Sequence, residues 1–255
     1  MPDTYRGLTI SFGQAFEIDA VNRRVRCSLE ALATGPDIAT TYVDANGTVL
    51  TQKIDVVVAS RLTSDFSTQA AASDLAVMAG ASPASVAYVD SDACLQLSAS
   101  AGRVHTAWNK FAGDGLYRVL LRLNRDDTPV LDRRVGLAAR VRNVGPDWYG
   151  VRLELYETGG ARKIHLREYT GSGGTTTALA TAAAEWDYET WQWFELEVVG
   201  TTVRGRIYSE SESAPAWQVT ATVSEVGAGA FGPHLFPAKA AKIVDIREIS
   251  AVAAL

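Results

Sequence analysis

Two groups of aromatic residues lie in segments that the sequence predicts to be loops, where a flat ring can stack on the apolar face of a sugar. Trp148 and Tyr149 follow a Pro-Asp turn, and Trp186, Asp187 and Tyr188 precede a strongly alternating segment. An aromatic ring combined with an Asp side chain that accepts hydrogen bonds from hydroxyls is a common way to hold a sugar. These five residues are therefore the predicted glycan site. In the alternative interpretation, the same rings close the end of a hydrophobic core.

Other residue types that carry chemistry do not form a recognised pattern. His105, His165 and His234 are isolated from one another, and the chain contains no His-x-x-x-His or Cys-x-x-Cys spacing, so no zinc site is predicted. The acidic pairs at 90–92 and 126–127 can bind calcium, but paired acids in turns are more often solvated turn residues. Neither a Gly-x-Ser-x-Gly motif nor a phosphate-binding loop occurs. We therefore expect no metal and no cofactor.

The elements that position these residues are strands. Residues 137–208 contain successive runs in which apolar and polar side chains alternate, separated by Gly-rich links such as 159–160 and 171–174. In a strand, side chains point alternately to opposite faces, so alternation predicts strands with one buried face. Links this short between such runs predict antiparallel hairpins.

The outward positions of these strands carry charges of both signs. The acidic residues are Glu154, Glu195 and Glu197, and the basic ones are Arg152, Arg167, Arg204 and Arg206. Cross-strand pairs of this kind contribute only roughly 0.2–1 kcal/mol each when exposed. We interpret the charges as a solvated sheet face, and the alternative is a binding face for a charged partner. Either Trp191 or Trp193, together with Trp217, is expected in the core.

The chain divides into two regions of different character. Residues 1–62 form a small β-rich region, in which Asn46-Gly47 is a strong hairpin signal. Residues 61–83 are small and polar and are interpreted as a linker or irregular entry segment, with the boundary near Leu62. Many short strands with frequent turns follow in residues 63–255. This pattern predicts an all-β sandwich or barrel.

Composition excludes several classes of function. The 255-residue chain has a formal net charge of −5 and no basic cluster interleaved with aromatics, so we expect no nucleic-acid partner. No apolar run approaches the length of a bilayer span, and the first residues do not form a signal peptide, so neither membrane insertion nor secretion is expected. Cys27 and Cys94 are interpreted as separate buried thiols, as in a protein made in a reducing cytoplasm.

A series of segments in the second region resembles a known family. The segments are DFS (65–67), YRVLLRL (117–123), VGLAARV (135–141), WYGVRLEL (148–155), WQWFELEVVGTTVRGRIYSE (191–210), WQVTAT (217–222), GAFGPHLF (229–236) and DIREIS (245–250). Their order is similar to that of the concanavalin A-like lectin and glucanase family in its laminin-G-like form. The resemblance covers residues 63–255 and implies an antiparallel jelly-roll β-sandwich preceded by the β-rich N-terminal region. It specifies a fold much better than an activity.

The functions found in that family set the expectations for this chain. It includes lectins, glycoside hydrolases, polysaccharide lyases, adhesive modules and appendages of bacteriophage tails and heads. The resemblance implies a non-enzymatic virion structural protein, made in the host cytoplasm, with residues 1–62 attached to the particle. Its partners would be other virion subunits, further copies of itself in a homo-oligomer, and a glycan of the host surface. The alternatives are a cellular carbohydrate-binding module and, third, a glycoside hydrolase or lyase.

The catalytic motif of the retaining glucanases in this family is incomplete here. That motif, Glu-x-Asp-x-x-Glu on one strand, supplies a nucleophile, a helper carboxylate and an acid/base. Glu17 and Asp19 match its first two positions, but Asn22 stands at the third and the match lies outside the jelly-roll region. We therefore predict no catalytic residues.

Overall fold

A computed structural model describes six short strands between Asp3 and Ile54 and most of residues 61–253. The gaps in the second range are 79–83, 100–101, 110–112, 124–132, 159–160, 172–175, 225 and 237–241. The chain divides into two compact units, Met1–Arg61 and Leu62–Ala254. No helix among the described residues is both long enough and apolar enough to cross a bilayer.

The first unit contains three antiparallel hairpins. Its strands are β1 (Asp3–Tyr5), β2 (Leu8–Ile10), β3 (Phe16–Asp19), β4 (Arg24–Cys27), β5 (Ile38–Val43) and β6 (Val49–Ile54). Each strand pairs with its successor, β1 with β2, β3 with β4 and β5 with β6. The last pair flanks the Asn-Gly signal, in agreement with the predicted hairpin. The side chains of Glu17, Asp19 and Cys27 lie outside the described part of the structure.

The second unit is a sandwich of two antiparallel sheets. The eight-stranded sheet consists of β7 (Arg61–Asp65), β9 (Ala84–Val89), β10 (Cys94–Ala99), β12 (Gly115–Leu123), β17 (Trp191–Val199), β18 (Thr202–Ser209), β19 (Val219–Thr222) and β21 (Lys242–Ala253). The seven-stranded sheet consists of β8 (Leu75–Val77), β11 (Val104–Trp108), β13 (Arg133–Val144), β14 (Asp147–Thr158), β15 (Ala161–Thr170), β16 (Thr176–Ala183) and β20 (Ala230–Phe236). In the eight-stranded sheet the strand order is β19-β18-β17-β12-β21-β10-β9, and β7 also pairs with β21. In the seven-stranded sheet the order is β16-β15-β14-β13-β20-β11-β8. The predicted all-β sandwich is confirmed.

The alternating apolar residues fill the space between the sheets. Leu153 on β14 and Leu166 on β15 face Leu196 on β17 and other residues of one continuous core. Burying each such side chain contributes about 1.5–3 kcal/mol before the entropy of folding is subtracted. The predicted strands and their inward positions are therefore confirmed in this region.

The segment at 61–77 is not a linker, contrary to the sequence prediction. It forms β7, a 3₁₀ turn at Gln69–Asp74 and β8. The Phe66 side chain is 0% exposed, and its backbone N–H donates to the carbonyl of Arg247. The indole of Trp108 donates to Ser64, which donates in turn to Asp74. The apolar residues of this segment are too few to show a period, so their burial could not be predicted from the sequence.

The outer face of the eight-stranded sheet is lined by tryptophans that stack against arginines. Trp191 lies between the guanidinium groups of Arg122 and Arg247, at 4.9 and 4.0 Å from the ring centroid. Trp193 lies 4.2 Å from Arg118. Trp217 stacks in the same way on the arginines of β18. The prediction that these rings belong to the core is wrong, because cation–π stacking lets them remain half-buried on a polar face.

Candidate functional site

A row of polar side chains crosses the outer face of the seven-stranded sheet. In register, His105 on β11 lies opposite His234 on β20, and His234 lies opposite Gly136 on β13. Gly136 in turn lies opposite Glu154 on β14, and Glu154 lies opposite His165 on β15. Their neighbours along each strand face the apolar core, so alternation places these residues on the other side of the sheet.

Three further residues complete a group that we call the polar cluster. Its members are His105, Arg152, Glu154, His165, Arg167, Tyr169 and His234. Most of these side chains are buried, and Arg167 is partly exposed. A buried polar group is costly unless it is hydrogen-bonded or paired, so the cluster requires a physical account.

Glu154 is the only carboxylate in the polar cluster and lies at its centre. Its side chain is 0% exposed, and its carboxylate oxygens are 2.8 Å from Arg167 Nε and 3.5 Å from Arg152 Nη1. His234 Nε2 is 3.7 Å away. Because Gly136 has no side chain, nothing separates His234 from Glu154 across β13. The predicted pairing of Glu154 with neighbouring arginines is confirmed.

The interpretation of this face as solvated is wrong at these positions. Arg152 is only 2% exposed, and Glu154 is inaccessible to solvent. Alternation along a strand indicates which face a residue occupies, but not whether other side chains cover that face. Here the indole of Trp148 lies 4.8 Å from the ring of His105, and the ring of Tyr156 lies 4.8 Å from that of His165. The guanidinium of Arg152 lies 4.3 Å from the ring centroid of Tyr169, so aromatic side chains pack against the polar groups of this face.

The two fully buried histidines of the cluster are neutral. The rings of His105 and His234 stack at 4.6 Å. His234 Nδ1 lies 3.2 Å from the carbonyl oxygen of Val104, which can only accept, so Nδ1 carries the proton. Nε2 then accepts from Arg152 Nη1 at 3.0 Å. Burial, and after it the charge of Arg152, holds the pKa of His234 well below its ordinary value.

His105 is held in a similar way. Its Nε2 lies 3.1 Å from the hydroxyl of Tyr169, which also accepts from Arg152 at 2.7 Å. Burial, followed by repulsion from His234 and Arg152, lowers the pKa of His105 well below its ordinary value. Both imidazoles therefore act as uncharged hydrogen-bonding groups at neutral pH.

Several buried atoms of the polar cluster have no hydrogen-bond partner. They include Nδ1 of His105, Nε and Nη2 of Arg152 and Nε2 of His165. The carboxylate oxygens of Glu154 and Nε of Arg167 also lack a hydrogen bond, but they lie within ion-pair distance of charged partners. Native proteins satisfy nearly all such groups, and the exceptions often belong to sites that bind water or a ligand. The cluster therefore retains hydrogen-bonding capacity that the described protein atoms do not use.

A partly exposed rim surrounds the buried part of the cluster. It consists of Arg103, Arg134, Tyr156, Lys163 and Arg167. The guanidinium of Arg103 lies 5.0 Å from the ring centroid of Tyr169, and that of Arg134 lies 5.3 Å from that of Tyr156. The rim residues are the part of the cluster that a molecule on this face could contact directly, and the buried residues lie beneath the rim.

The first predicted aromatic group lies beside the polar cluster, but its indole is not open to solvent. Trp148 is 4% exposed and packs with Ala138, Val141 and Tyr169 in a small apolar cluster on the outer face. Tyr149 is half-buried, with the guanidinium of Arg142 4.7 Å from its ring centroid. The ring of Trp148 therefore offers no free face for a sugar in this structure.

The second predicted group lies at the opposite end of the same sheet. Trp186 is buried, Asp187 is exposed and Tyr188 is half-buried. The guanidinium of Arg162 covers both rings, at 4.9 Å from the centroid of Trp186 and 5.7 Å from that of Tyr188. Strand β14 runs from one end of the sheet to the other, and the nine residues that follow Trp148 along it span about 30 Å. The structure does not bring the five predicted residues into one site, and glycan binding by either group stays a prediction.

A small cavity lies beneath Trp186, between the two sheets. Its volume is about 10 Å³, and its lining includes Leu121, Leu155 and Gln192. The indole Nε1 of Trp186 and the side-chain oxygen of Gln192 are buried without a hydrogen-bond partner. This volume suits one water molecule that bridges two polar groups and is far too small for a sugar ring.

One group of possible metal ligands occurs among the described residues. Asp92, Cys94 and Asp245 bring their ligand atoms within 4.8 Å of one another. The guanidinium of Arg122 already contacts both carboxylates, at 2.7 Å from Asp245 and 3.1 Å from Asp92. Burial, and after it the charge of Asp245, raises the pKa of Cys94 to about 11, so the thiol stays protonated. This arrangement is a charge network rather than a cation site.

The remaining candidates for chemistry are placed as follows. Asp90–Asp92, considered as a calcium site, forms a 3₁₀ turn in which Asp92 pairs with Arg122. Residues 126–127 lie outside the described residues. Cys94 is a buried free thiol, as predicted. The three histidines, isolated in sequence, all join the polar cluster, which sequence spacing did not reveal.

Comparisons with known proteins agree with this architecture. No protein-family model matches the chain, and no curated protein matches it. Among solved structures, a protein of unknown function with a galectin-like fold from Bacillus subtilis is 12% identical, with a TM-score of 0.52 over 76% of this chain and 96% of that one. The exoplasmic/lumenal domain of VIP36, in a Ca²⁺/Man3GlcNAc-bound form, is 11% identical, with a TM-score of 0.51 over 71% and 84%.

Part of a longer protein shares the fold as well. The GH43 protein BlXynB from Bacillus licheniformis is 10% identical, with a TM-score of 0.55 over 85% of this chain, which spans 46% of its length. Identities this low establish a fold and no activity. The second unit is thus a jelly-roll β-sandwich, in agreement with the predicted concanavalin A-like architecture. The structures similar in shape include a protein described as having a galectin-like fold.

Proposed function

We propose that the protein is a non-catalytic carbohydrate-binding protein and that glycan binds on the outer face of the seven-stranded sheet. The observation that carries this proposal is the polar cluster with its partly exposed rim. A sugar presents many hydroxyls, so its site needs several donors and acceptors in fixed positions, and side chains on paired strands are held more rigidly than those on loops. The similar VIP36 domain in a Man3GlcNAc-bound form fits this proposal.

Arg167 is the residue best placed to contact the glycan. Its Nε is held by Glu154 at 2.8 Å, while its terminal nitrogens make only long contacts of 3.3 Å to Thr176 and His165. Those nitrogens can exchange these contacts for stronger ones to a ligand. Glu154 acts as a positioning residue, because it fixes the guanidinium from below. The ring of Tyr156 supplies apolar surface at the same rim.

The proposed role is binding without catalysis. Glycoside hydrolysis by the usual mechanism requires two carboxyl groups on either side of the scissile bond. The polar cluster contains one, Glu154, whose carboxylate lies between the guanidinium groups of Arg152 and Arg167. We expect no release of reducing sugar from any polysaccharide that the protein binds. Sugar release that is lost in a Glu154→Gln variant would contradict the proposal.

A glycan array probed with the chain in multivalent form tests the proposed function. Multivalent display is needed because single lectin-type contacts are weak. We expect binding that is lost in Arg167→Gln and retained in Arg118→Gln. The control is closely matched, since Arg118 Nε pairs with Glu195 at 2.7 Å on the outer face of the other sheet. Failure of the wild-type chain to bind any glycan would refute the function, and equal loss in both variants would refute the site.

Self-association is part of this proposal, because an oligomer presents several weak glycan sites at once. Strand β16 is the edge of the seven-stranded sheet, and its eight residues carry no charge. Natural edge strands are usually protected by charges or proline, so an uncharged edge favours pairing with another strand. We propose that two copies pair along β16. Analytical ultracentrifugation should show a dimer that Thr181→Lys dissociates, and a monomeric wild type at high concentration would refute the pairing.

A place on a virus particle is a second, separate proposal. The division of the chain into Met1–Arg61 and the sandwich supports it, since an attachment region and an outward-facing jelly roll would be two such units. In this proposal the first unit contacts other virion subunits and the sandwich faces the host surface. Antibody labelling of purified particles tests it. Labelling confined to particle-free cell fractions would count against a virion location.

A further inference from the structure

We propose that acid releases the glycan, because protonation of His165 frees Arg167 from its position on the rim. This inference rests on the proposed function and deepens it, since it concerns the regulation of the same site. The observation behind it is a contact between the two side chains, in which Nδ1 of His165 lies 3.3 Å from Nη2 of Arg167. Arg167 is the residue best placed to contact the glycan, so a change at this contact acts directly on the site.

The contact with Arg167 fixes the tautomer of His165. A guanidinium nitrogen can only donate, so Nδ1 of the neutral ring is the acceptor and Nε2 carries the proton. Nε2 is buried and has no hydrogen-bond partner among the described residues. A second proton can therefore be added only at Nδ1, and the hydrogen bond from Arg167 exists only while Nδ1 is unprotonated.

Protonation of His165 would replace this hydrogen bond by repulsion. Both nitrogens would then be donors on positively charged groups. His165 also lies opposite Glu154 in the register of β14 and β15. The charged ring would compete for the Glu154 carboxylate, which lies 2.8 Å from Nε of Arg167. Arg167 would thus lose one contact and share another, so its guanidinium would no longer be held in position for a ligand.

The surroundings of His165 set the pH range in which this release occurs. Strand β16 places the uncharged Thr181 opposite the ring. The described charged and titratable groups near the ring on the same face are Lys163 and Arg167 on β15, Arg152, Glu154 and Tyr156 on β14, and Arg134 on β13.

Burial, and after it the charge of Arg167, lowers the pKa of His165 below its ordinary value of 6.5. The ring is therefore neutral at pH 7 and takes up its proton as the pH falls below 6.5. His165 is 7% exposed, whereas His105 and His234 are inaccessible to solvent, so His165 can be protonated while the sandwich stays folded. Binding is thus expected at neutral pH and release in acid.

The test is the glycan array, probed with the wild-type chain at a series of pH values between 7.5 and 5.0. We expect about a tenfold loss of affinity, with a midpoint that coincides with the pKa of His165 measured by proton NMR. Near-UV circular dichroism at each pH reports whether the sandwich is folded.

Affinity that is unchanged down to pH 5.0, or a loss that follows unfolding rather than the titration of His165, would overturn this inference. Either result would leave the proposed function intact. Failure to bind any glycan at pH 7.5 would overturn both.

A variant separates the titration of His165 from other effects of acid. In His165→Gln the side-chain oxygen can still accept from Arg167, but the residue does not titrate. The measured quantity is the ratio of the affinities at pH 7.5 and pH 5.0 within each protein, so a change of affinity at neutral pH does not affect it. We expect a ratio of about ten for the wild type and about one for His165→Gln.

The matched control is His105→Gln, which replaces a histidine of the same cluster that bonds to Tyr169 rather than to Arg167. It should keep the wild-type ratio. Equal ratios for His165→Gln and the wild type would overturn the inference.

Discussion

Lowering the pH below 6.5 should destabilise the sandwich, because two buried histidines resist protonation. His105 and His234 have ordinary pKa values of 6.5, which burial lowers strongly in the folded chain. When the pKa of a histidine is lower in the folded state than in the unfolded state, a fall in pH protonates the unfolded state first. The stability contributed by the neutral form is therefore present above pH 6.5 and is lost as the pH falls below that value.

The size of the effect follows from the linkage between proton binding and folding. Each histidine that stays neutral in the folded chain destabilises it by about 1.4 kcal/mol per pH unit below the unfolded pKa. Between pH 7.5 and pH 5.5 this amounts to about 1.4 kcal/mol for one histidine and about 2.7 kcal/mol for both. Carboxylates add their own pH dependence, so the histidine contribution has to be isolated by comparison with a variant.

The assay is urea unfolding of the wild type and of His105→Gln at both pH values. Glutamine can still bond to Tyr169 but does not titrate. We expect the wild type to lose about 1.4 kcal/mol more than the variant over this pH range. A direct check is proton NMR of the imidazoles, in which the His105 and His234 signals should not shift between the two pH values. Parallel stability profiles, or an imidazole that titrates near its ordinary pKa, would refute the buried, neutral assignment.

Four substitutions test the packing of the sandwich. Gly136→Ala should destabilise the sandwich by about 3 kcal/mol or more, because the added carbon would overlap the backbone oxygen of Leu153. Gly205→Ala should destabilise the sandwich less than Gly136→Ala, since its added carbon meets the movable end of the Leu153 side chain. Equal losses of unfolding free energy in urea for the two variants would contradict this difference. Phe66→Ala should cost about 3–5 kcal/mol in the same assay, whereas a linker residue would cost less than about 0.5 kcal/mol. Glu154→Gln should cost about 3–5 kcal/mol, because it leaves the buried Arg152 and the partly exposed Arg167 without their carboxylate. A loss below about 1 kcal/mol would show that Glu154 does not form a buried ion pair.

The sandwich could be predicted because alternation along a strand is a local property. In β14 the inward residues Val151, Leu153 and Leu155 are separated by polar ones, and this spacing alone identifies a strand with one buried face. The hairpin links follow from glycine positions in the same way. Segment 61–77 could not be predicted, because Phe66 and Leu75 are too far apart to show a period. Their burial depends on which distant strands cover them.

The polar cluster could not be predicted for a related reason. His105 and His234 are 129 positions apart, and they meet only because β11 and β20 pair in the seven-stranded sheet. No spacing rule connects residues on strands that are distant in sequence. The loop aromatics were chosen because loops are exposed, but Trp148 and Trp186 are both buried. A signal for the site was present in the alternating charges of β14 and β15, which we interpreted as solvated.

The burial of charge on an outer face is itself an argument for a role beyond folding. Replacing buried ion pairs by apolar residues is often neutral or stabilising, so a sequence selected for stability alone has little reason to retain Arg152 and Glu154. Buried charge also occurs elsewhere in the sandwich, for example at Asp245 and Glu195, but the polar cluster gathers Arg152, Glu154 and three histidines on adjoining strands of one sheet. Such local conflicts are expected where a protein binds something, because the polar groups that a ligand needs are the ones that folding disfavours. The buried donors of Arg152 and His165 that lack hydrogen-bond partners belong to the same patch, which is why we assign function to this face of the sandwich.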